Sequence, residues 1–161
     1  MIMLHFVNED NLDDVLKLKA AEKFVAPNYY SLAEAYVSLK ESIDKNEPNI
    51  AEIPFAINNG DITVGFAMIA FEDGKDVGSD GEIYWISRFM IDESQQGKGY
   101  GKAAIAALIE YVKTKPHGRE VRYVYTSVVP DNYIAAGLYE RMGFVKTGGQ
   151  LGGEDLMKLV L

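Results

Sequence analysis

The stretch Asp92-Glu93-Ser94-Gln95-Gln96-Gly97-Lys98-Gly99-Tyr100-Gly101-Lys102 sets three alternating glycines and two lysines directly ahead of an apolar helical pattern. Glycine lets the backbone come close to a ligand and turn successive N–H groups toward one point. A helix that starts at such a turn adds its positive dipole end and N–H groups without intrahelical partners. The segment therefore suits an anion, and Lys98 and Lys102 add charge beside it. Two familiar phosphate motifs do not fit. Counting from Gly97, both the P-loop and the dinucleotide fingerprint Gly-x-Gly-x-x-Gly need a glycine where Lys102 stands. What remains is Gln/Arg-x-x-Gly-x-Gly/Ala, carried by Gln96, Gly99 and Gly101, against the plainer reading of a strand-to-helix turn.

A second informative stretch, Asn132-Tyr133-Ile134-Ala135-Ala136-Gly137-Leu138-Tyr139-Glu140-Arg141-Met142-Gly143-Phe144, follows an apolar run that reads as a buried strand. Asn132 and Tyr139 are seven residues apart, so one helix would carry both on a single face about 10 Å apart along its axis. Here the chain resembles the GNAT acetyltransferases, whose second signature is Asn-x-x-Ala-x-x-Leu-Tyr-x-x-x-Gly-Phe. Both signatures occur in the family's order and spacing, and the resemblance covers residues 60 to 161. It implies an acetyl-CoA-dependent N-acetyltransferase with the cofactor's pyrophosphate on Gln96, Gly97, Lys98, Gly99, Tyr100, Gly101 and Lys102. It further implies that the backbone of Phe89, Met90 and Ile91 pairs with the pantetheine amides, that Asn132 faces the pantetheine arm, that Ala135 is among the cofactor-binding residues, and that the Tyr139 hydroxyl lies near the sulfur. A phenol there can protonate the leaving thiolate as a general acid.

The acceptor amine must be neutral to attack, and with a reference pKa near 10.4 only about one lysine-type amine in a thousand is neutral near pH 7.4. A base is expected. Glu82, at the start of a long strand that also carries Tyr84 on the same face, is the candidate, against the alternative of a solvated strand-end residue.

Beyond the superfamily, the chain resembles bacterial spermine/spermidine acetyltransferases. The residues that carry this are Phe24-Val25-Ala26-Pro27-Asn28-Tyr29-Tyr30-Ser31-Leu32-Ala33-Glu34-Ala35-Tyr36, Val64-Gly65-Phe66-Ala67-Met68 and Arg88-Phe89-Met90-Ile91-Asp92. The resemblance implies a polyamine such as spermidine or spermine as acceptor, with the first segment forming part of a lid. Tyr30 and Glu34 would surround a cation there, and Tyr84 and Ser87 would complete the substrate side. One departure stands out: that group tends to have an acid where this chain has Ser87. Serine forms no ion pair with an ammonium, so Glu34 or Glu82 would have to. A protein, peptide or amino-acid amine as acceptor stays open, as does a non-catalytic acyl-CoA sensor, although binding alone needs no acid at the sulfur.

The elements that must position these residues are legible as patterns. Residues 2 to 7 read as a strand, and Asn8 to Asn11 offer caps for a helix carrying Leu12, Val15 and Leu16. Ser31 with Glu34 reads as a capping box opening a second helix to about residue 45. Strands over 52–58 and 62–71 meet at Asn59-Gly60, a hairpin signal. After a glycine-rich acidic loop come a strand over 82–91, a helix over 99–114, a strand over 121–129, a helix over 132–142, and strands beginning at 143 and 156. The order β-α-α-β-β-β-α-β-α-β-β predicts a single α+β domain over residues 1–161, with a mixed, mostly antiparallel sheet flanked by helices.

Composition agrees. A chain of 161 residues with 48% hydrophobic content can bury one core without cross-links. With no cysteine, thiol nucleophiles, disulfides and cysteine-zinc sites are excluded. His5 and His117 are isolated, so no metal site is expected. The 24 acids against 16 bases give a formal charge of −8, which disfavours nucleic acid and attracts small cations. No secretory leader or membrane-length apolar run is visible, which predicts a soluble cytoplasmic protein. Pairing of sheets into a homodimer is compatible with the pattern.

Overall fold

Strand alternation and helical spacing resolve into eleven main elements in a computed structural model, which describes residues 1–20, 27–44 and 52–161. Phe24, Val25 and Ala26 of the lid segment lie outside the described residues. In chain order the elements are β1 (Ile2–Phe6), α1 (Leu12–Lys17), α2 (Asn28–Asp44), β2 (Ile53–Asn59), β3 (Ile62–Glu72) and β4 (Ile83–Ile91). There follow α3 (Tyr100–Lys113), β5 (Tyr123–Val128), α4 (Tyr133–Arg141), β6 (Val145–Leu151) and β7 (Glu154–Val160). This is the expected order. Short 3₁₀ turns at Lys75–Val77 and Glu93–Gln95 sit in the loops on either side of β4.

The strands form one seven-stranded sheet in the order β1-β2-β3-β4-β5-β7-β6. Every neighbouring pair is antiparallel except β4 and β5, which run parallel. β3 is buried along nearly its whole length, as a central strand covered on both faces must be. One core cluster joins Ile57, Ile69, Ile86 and Val124 of the sheet to Ile105, Leu108 and Val112 of α3 and Tyr139 of α4. A second, on the side of α1 and α2, joins Val15 and Ala35 to Ala56, Phe66, Met68 and Met90.

The pairing of β4 with its two neighbours makes the opening that matters. Against β3, Arg88 is opposite Met68 and Ile86 is opposite Ile69, so Ser87 is the extra residue of a β-bulge. Against β5, the paired residues stop at Ile86 opposite Thr126. A bulge bends and over-twists its strand, and here it falls at the point where β4 leaves β5. From Ser87 to Ile91 the edge of β4 that faces β5 is thereby freed from the ladder.

Two local expectations are corrected. Ser31 does not open α2: the helix starts at Asn28, and the Pro27 carbonyl accepts from the N–H groups of Tyr30 and Ser31. Proline at a helix start gives up only an N–H that has no partner there, so the first turn forms before Ser31. Ser31 is buried, and its hydroxyl accepts from Arg88 Nε instead. The β2–β3 turn sits one residue later than the Asn59-Gly60 signal: Asn59 pairs with Ile62, leaving Gly60 and Asp61 as the two loop residues.

Candidate active site

The glycine turn begins with an aspartate that ties three segments together. Asp92 accepts from the backbone and hydroxyl of Ser94, at 2.9 and 2.6 Å, and from the Lys19 N–H at 2.8 Å. Burial alone would raise its pKa, but these hydrogen bonds outweigh burial and hold the carboxyl below its ordinary value. Next along, Gln96 Nε2 donates back to the Ile91 carbonyl at 3.2 Å, closing the turn on the end of β4. Gly97 and Gly99 both take positive φ, 75° and 80°, and Gly99 is the N-cap of α3. A Cβ added at Gly99 would meet no atom of the described residues within 4 Å. At Gly101 the reason for glycine is different: an added Cβ would lie 3.1 Å from Leu138 of α4, so the small residue lets the two helices approach.

Between this turn and α4 lies a cleft of about 480 Å³. Phe89, Met90 and Ile91 form one wall, Gln96, Gly97, Gly99, Tyr100, Gly101 and Lys102 its floor, and Asn132 and Ala135 the far side. Of the sequence-expected cofactor residues, Lys98 and Tyr139 do not line it; the Lys98 ammonium is held by Gln95 Oε1 at 2.9 Å and the Ser94 carbonyl at 3.1 Å. The Tyr100 hydroxyl, by contrast, accepts from Asn59 Nδ2 at 3.0 Å and so ties α3 to β2.

Asn132 is not inside α4 but caps it, its side-chain oxygen accepting from the Ala135 N–H at 3.1 Å. The expected shared helix face for Asn132 and Tyr139 is thus a cap and a last-turn residue. At the other end of α4 the Tyr139 carbonyl accepts from the N–H groups of Met142 and Phe144, at 2.9 and 3.1 Å. Gly143, with φ of 90°, makes this turn possible. The Gly-Phe pair then drops Phe144 against Tyr139, ring centroids 5.2 Å apart, while Phe89 approaches the ring from β4 at 6.3 Å. Burial pushes the Tyr139 hydroxyl up to about 12, and a hydrogen bond with Thr126 only partly opposes this.

Tyr139 lines a second cavity, of about 300 Å³, in the fork between β4 and β5. Phe89, Asn132 and Ala135 line both cavities, which makes the two clefts neighbours across the splayed strands.

A sequence model of the Acetyltransferase (GNAT) family matches residues 14–144. The chain belongs to the GNAT acetyltransferase family. A spermine/spermidine N(1)-acetyltransferase of Bacillus subtilis is 36% identical over 99 residues, 61% of this chain and 62% of that protein, so the match spans less than two-thirds of either. Among solved structures, a Pyrococcus horikoshii protein superposes with a TM-score of 0.71 at 20% identity, covering 100% of this chain and 99% of that one. The PaiA N-acetyltransferase of Thermoplasma acidophilum, solved with coenzyme A, superposes at 0.69 with 13% identity, covering 100% and 99%.

The remaining expected residues of this GNAT domain separate into those near the fork and those away from it. Ser87 lines the fork and donates to the Met68 carbonyl at 3.3 Å. Tyr30 and Glu34 line a shallow depression on α2. Glu34 is tied to the fork through Arg88, whose Nη2 lies 2.8 Å from Glu34 Oε2 while Nη1 donates to the Ser87 carbonyl at 2.7 Å. Glu82 and Tyr84 line neither cavity. Glu82 is ion-paired with Arg119, and the Tyr84 hydroxyl meets His117 Nδ1 at 2.9 Å beside the Phe71 ring. Both acids considered for an ammonium, Glu34 and Glu82, therefore already face an arginine.

Three residues escaped the sequence reading. Arg141 lines the larger cleft three residues after Leu138, and that helical spacing was a usable signal. Glu154 lines the fork from β7, far along the chain, with no local pattern to mark it. Glu52 is hydrogen-bonded to Ser87; burial raises its pKa first, the Ser87 bond lowers it, and Glu34 raises it further.

Proposed function

We propose that the protein is an acetyl-CoA-dependent N-acetyltransferase whose acceptor is a primary amine of a polyamine such as spermidine or spermine. The observation that carries the reading is the junction of the two clefts at Phe89, Asn132 and Ala135, with Tyr139 on the fork side. The larger cleft suits acetyl-CoA: glycine backbone, the start of α3, Lys102 and Arg141 meet an anion, and the freed edge of β4 offers amide partners to an extended arm. The acceptor enters the fork, and its nitrogen attacks the thioester carbonyl. Tyr139 supplies a proton to the departing thiolate, and its raised pKa keeps it protonated at neutral pH for that role.

The acidic surroundings favour a cationic acceptor: the chain carries a formal charge of −8, and Glu34 and Glu52 lie beside the Ser87–Arg88 stretch of β4. The similarity to a protein named spermine/spermidine N(1)-acetyltransferase points the same way.

The test is thiol release from acetyl-CoA, followed with a chromogenic thiol reagent, across polyamines, amino acids and basic peptides. The lack of cysteine keeps the protein silent in this assay. Turnover of spermidine or spermine is the expected result. Turnover only of peptide or amino-acid amines would remove the polyamine, and acetyl-CoA binding without any turnover would favour a sensor.

A further inference from the structure

We infer that Glu154 is the base that takes the proton from the acceptor ammonium in the fork, with Ser127 as its positioning residue. This rests on the acetyltransferase reading above. Of the described residues that line the fork, Glu154 is the single carboxylate, and no histidine is among them. The other titratable groups there are Tyr139 and Arg88, and Arg88 is committed to Glu34, Ser31 and the Ser87 carbonyl. Glu154 differs from Glu34 and Glu82 in its partner: its Oε2 accepts from the neutral Ser127 hydroxyl at 2.5 Å. Its negative charge is therefore not matched by a cation among the described residues, and it is half-buried.

The register explains how a residue so late in the chain reaches the site. In the β5–β7 ladder Ser127 is opposite Leu156, so both point to one face of the sheet, and Glu154 lies two residues before Leu156 on that same face. The diagonal spacing across an antiparallel pair is within reach of a long side chain. Glu154 thus sits at the end of β7 where β5 runs on toward Asn132, the cap of α4. Ser127 lies within the β5–β7 ladder and Glu154 pairs with Leu151 across the β6–β7 hairpin, so both residues are held by backbone pairing.

The proton balance is complete. The ammonium gives its first proton to Glu154, which passes it to solvent. The neutral nitrogen attacks the thioester carbon, the C–S bond breaks, and the thiolate takes the Tyr139 proton. The nitrogen's second proton then restores the Tyr139 phenol. The sum is one acetamide, one thiol and one released proton.

The experiment compares the wild-type chain with Glu154→Gln and Ser127→Ala, using an acceptor that the wild type turns over, from pH 6.5 to 9.5. Cooperative melting and calorimetric acetyl-CoA binding verify each variant's fold. The expected result is a loss in kcat/KM of about a hundredfold for Glu154→Gln at pH 7, within the range for general-base catalysis. That gap narrows as pH rises, because the amine then loses its proton in solution, and it is small for a weakly basic amine at any pH. Ser127→Ala shows the same trend with a smaller loss. A deficit constant across pH, or full activity at pH 7, overturns the assignment. Should Glu154→Gln not fold, the pH trend of Ser127→Ala decides alone, and a flat or absent deficit overturns it. A wild-type chain that acetylates no amine overturns the acetyltransferase reading itself, whereas an active wild type with an equally active Glu154→Gln removes only Glu154.

Discussion

Tyr139 is held by contacts that do not involve its hydroxyl. Its ring is wedged between Phe144 and Phe89, and its carbonyl closes the end of α4. Removing one oxygen leaves all of this in place, apart from the hydrogen bond with Thr126, whose own hydroxyl still donates to the Ile86 carbonyl at 3.1 Å. Tyr139→Phe is therefore expected to lower kcat more than tenfold while acetyl-CoA affinity, read by calorimetry, changes little. Equal activity in the variant would remove Tyr139 from the chemistry. The pH profile carries a second sign. Burial pushes this phenol up to about 12, so its proton stays on throughout an assay that ends near pH 9.5, and kcat should show no alkaline decline from Tyr139. The same shift ties folding to pH: the folded state binds this proton more tightly than the unfolded chain, so the associated stability is present below about 10 and is lost as pH rises toward 12.

At the scale of elements, the glycine turn and α3 act as one anion-facing unit, and Gly99 is where the unit can be broken with least damage to packing. A Cβ there meets no atom of the described residues within 4 Å, so a substitution costs mainly the strain of positive φ and whatever it does to the ligand. Gly99→Asp puts a carboxylate against the proposed pyrophosphate position and at the N-terminus of α3. The expected outcome is loss of measurable acetyl-CoA binding in a protein that still melts cooperatively. Unchanged affinity would mean that this turn is not the cofactor's site. This turn, α4 and the order of all eleven elements could be read from the sequence because each rests on residues close together in the chain: alternating glycines, apolar residues three and four apart, Gly143-Phe144. The fork could not be read that way. It depends on the bulge at Ser87 and on the early end of the β4–β5 ladder, both set by pairing between distant segments. For the same reason Glu154 went unseen, while Glu82 drew attention through its place just before β4 although Arg119 neutralises it. Ser31 and Glu34 matched a capping box by spacing, but Pro27 had already started the helix and Arg88 draws both side chains toward β4.

The molecule as a whole presents an acidic field, and the two substrates proposed for it respond to that field in opposite senses. A polyamine is drawn by the formal charge of −8 over a range set by salt, about 10 Å at 0.1 M. Acetyl-CoA, an anion, is repelled by the same field at long range but attracted at short range by the α3 N-terminus, Lys102 and Arg141. Raising ionic strength weakens both contributions to acetyl-CoA binding, and they offset each other. For the polyamine the long-range attraction and the pull of the Glu154 carboxylate in the fork weaken together. The KM for spermidine is therefore expected to rise severalfold between about 0.02 and 0.2 M salt, with a much smaller change in the KM for acetyl-CoA and in kcat. The asymmetry is what distinguishes this from a general effect of salt on the enzyme. A spermidine KM indifferent to salt would mean that shape and hydrogen bonding, not charge, select the acceptor, and the acidic groups beside Ser87 would then lose their proposed part in recognition.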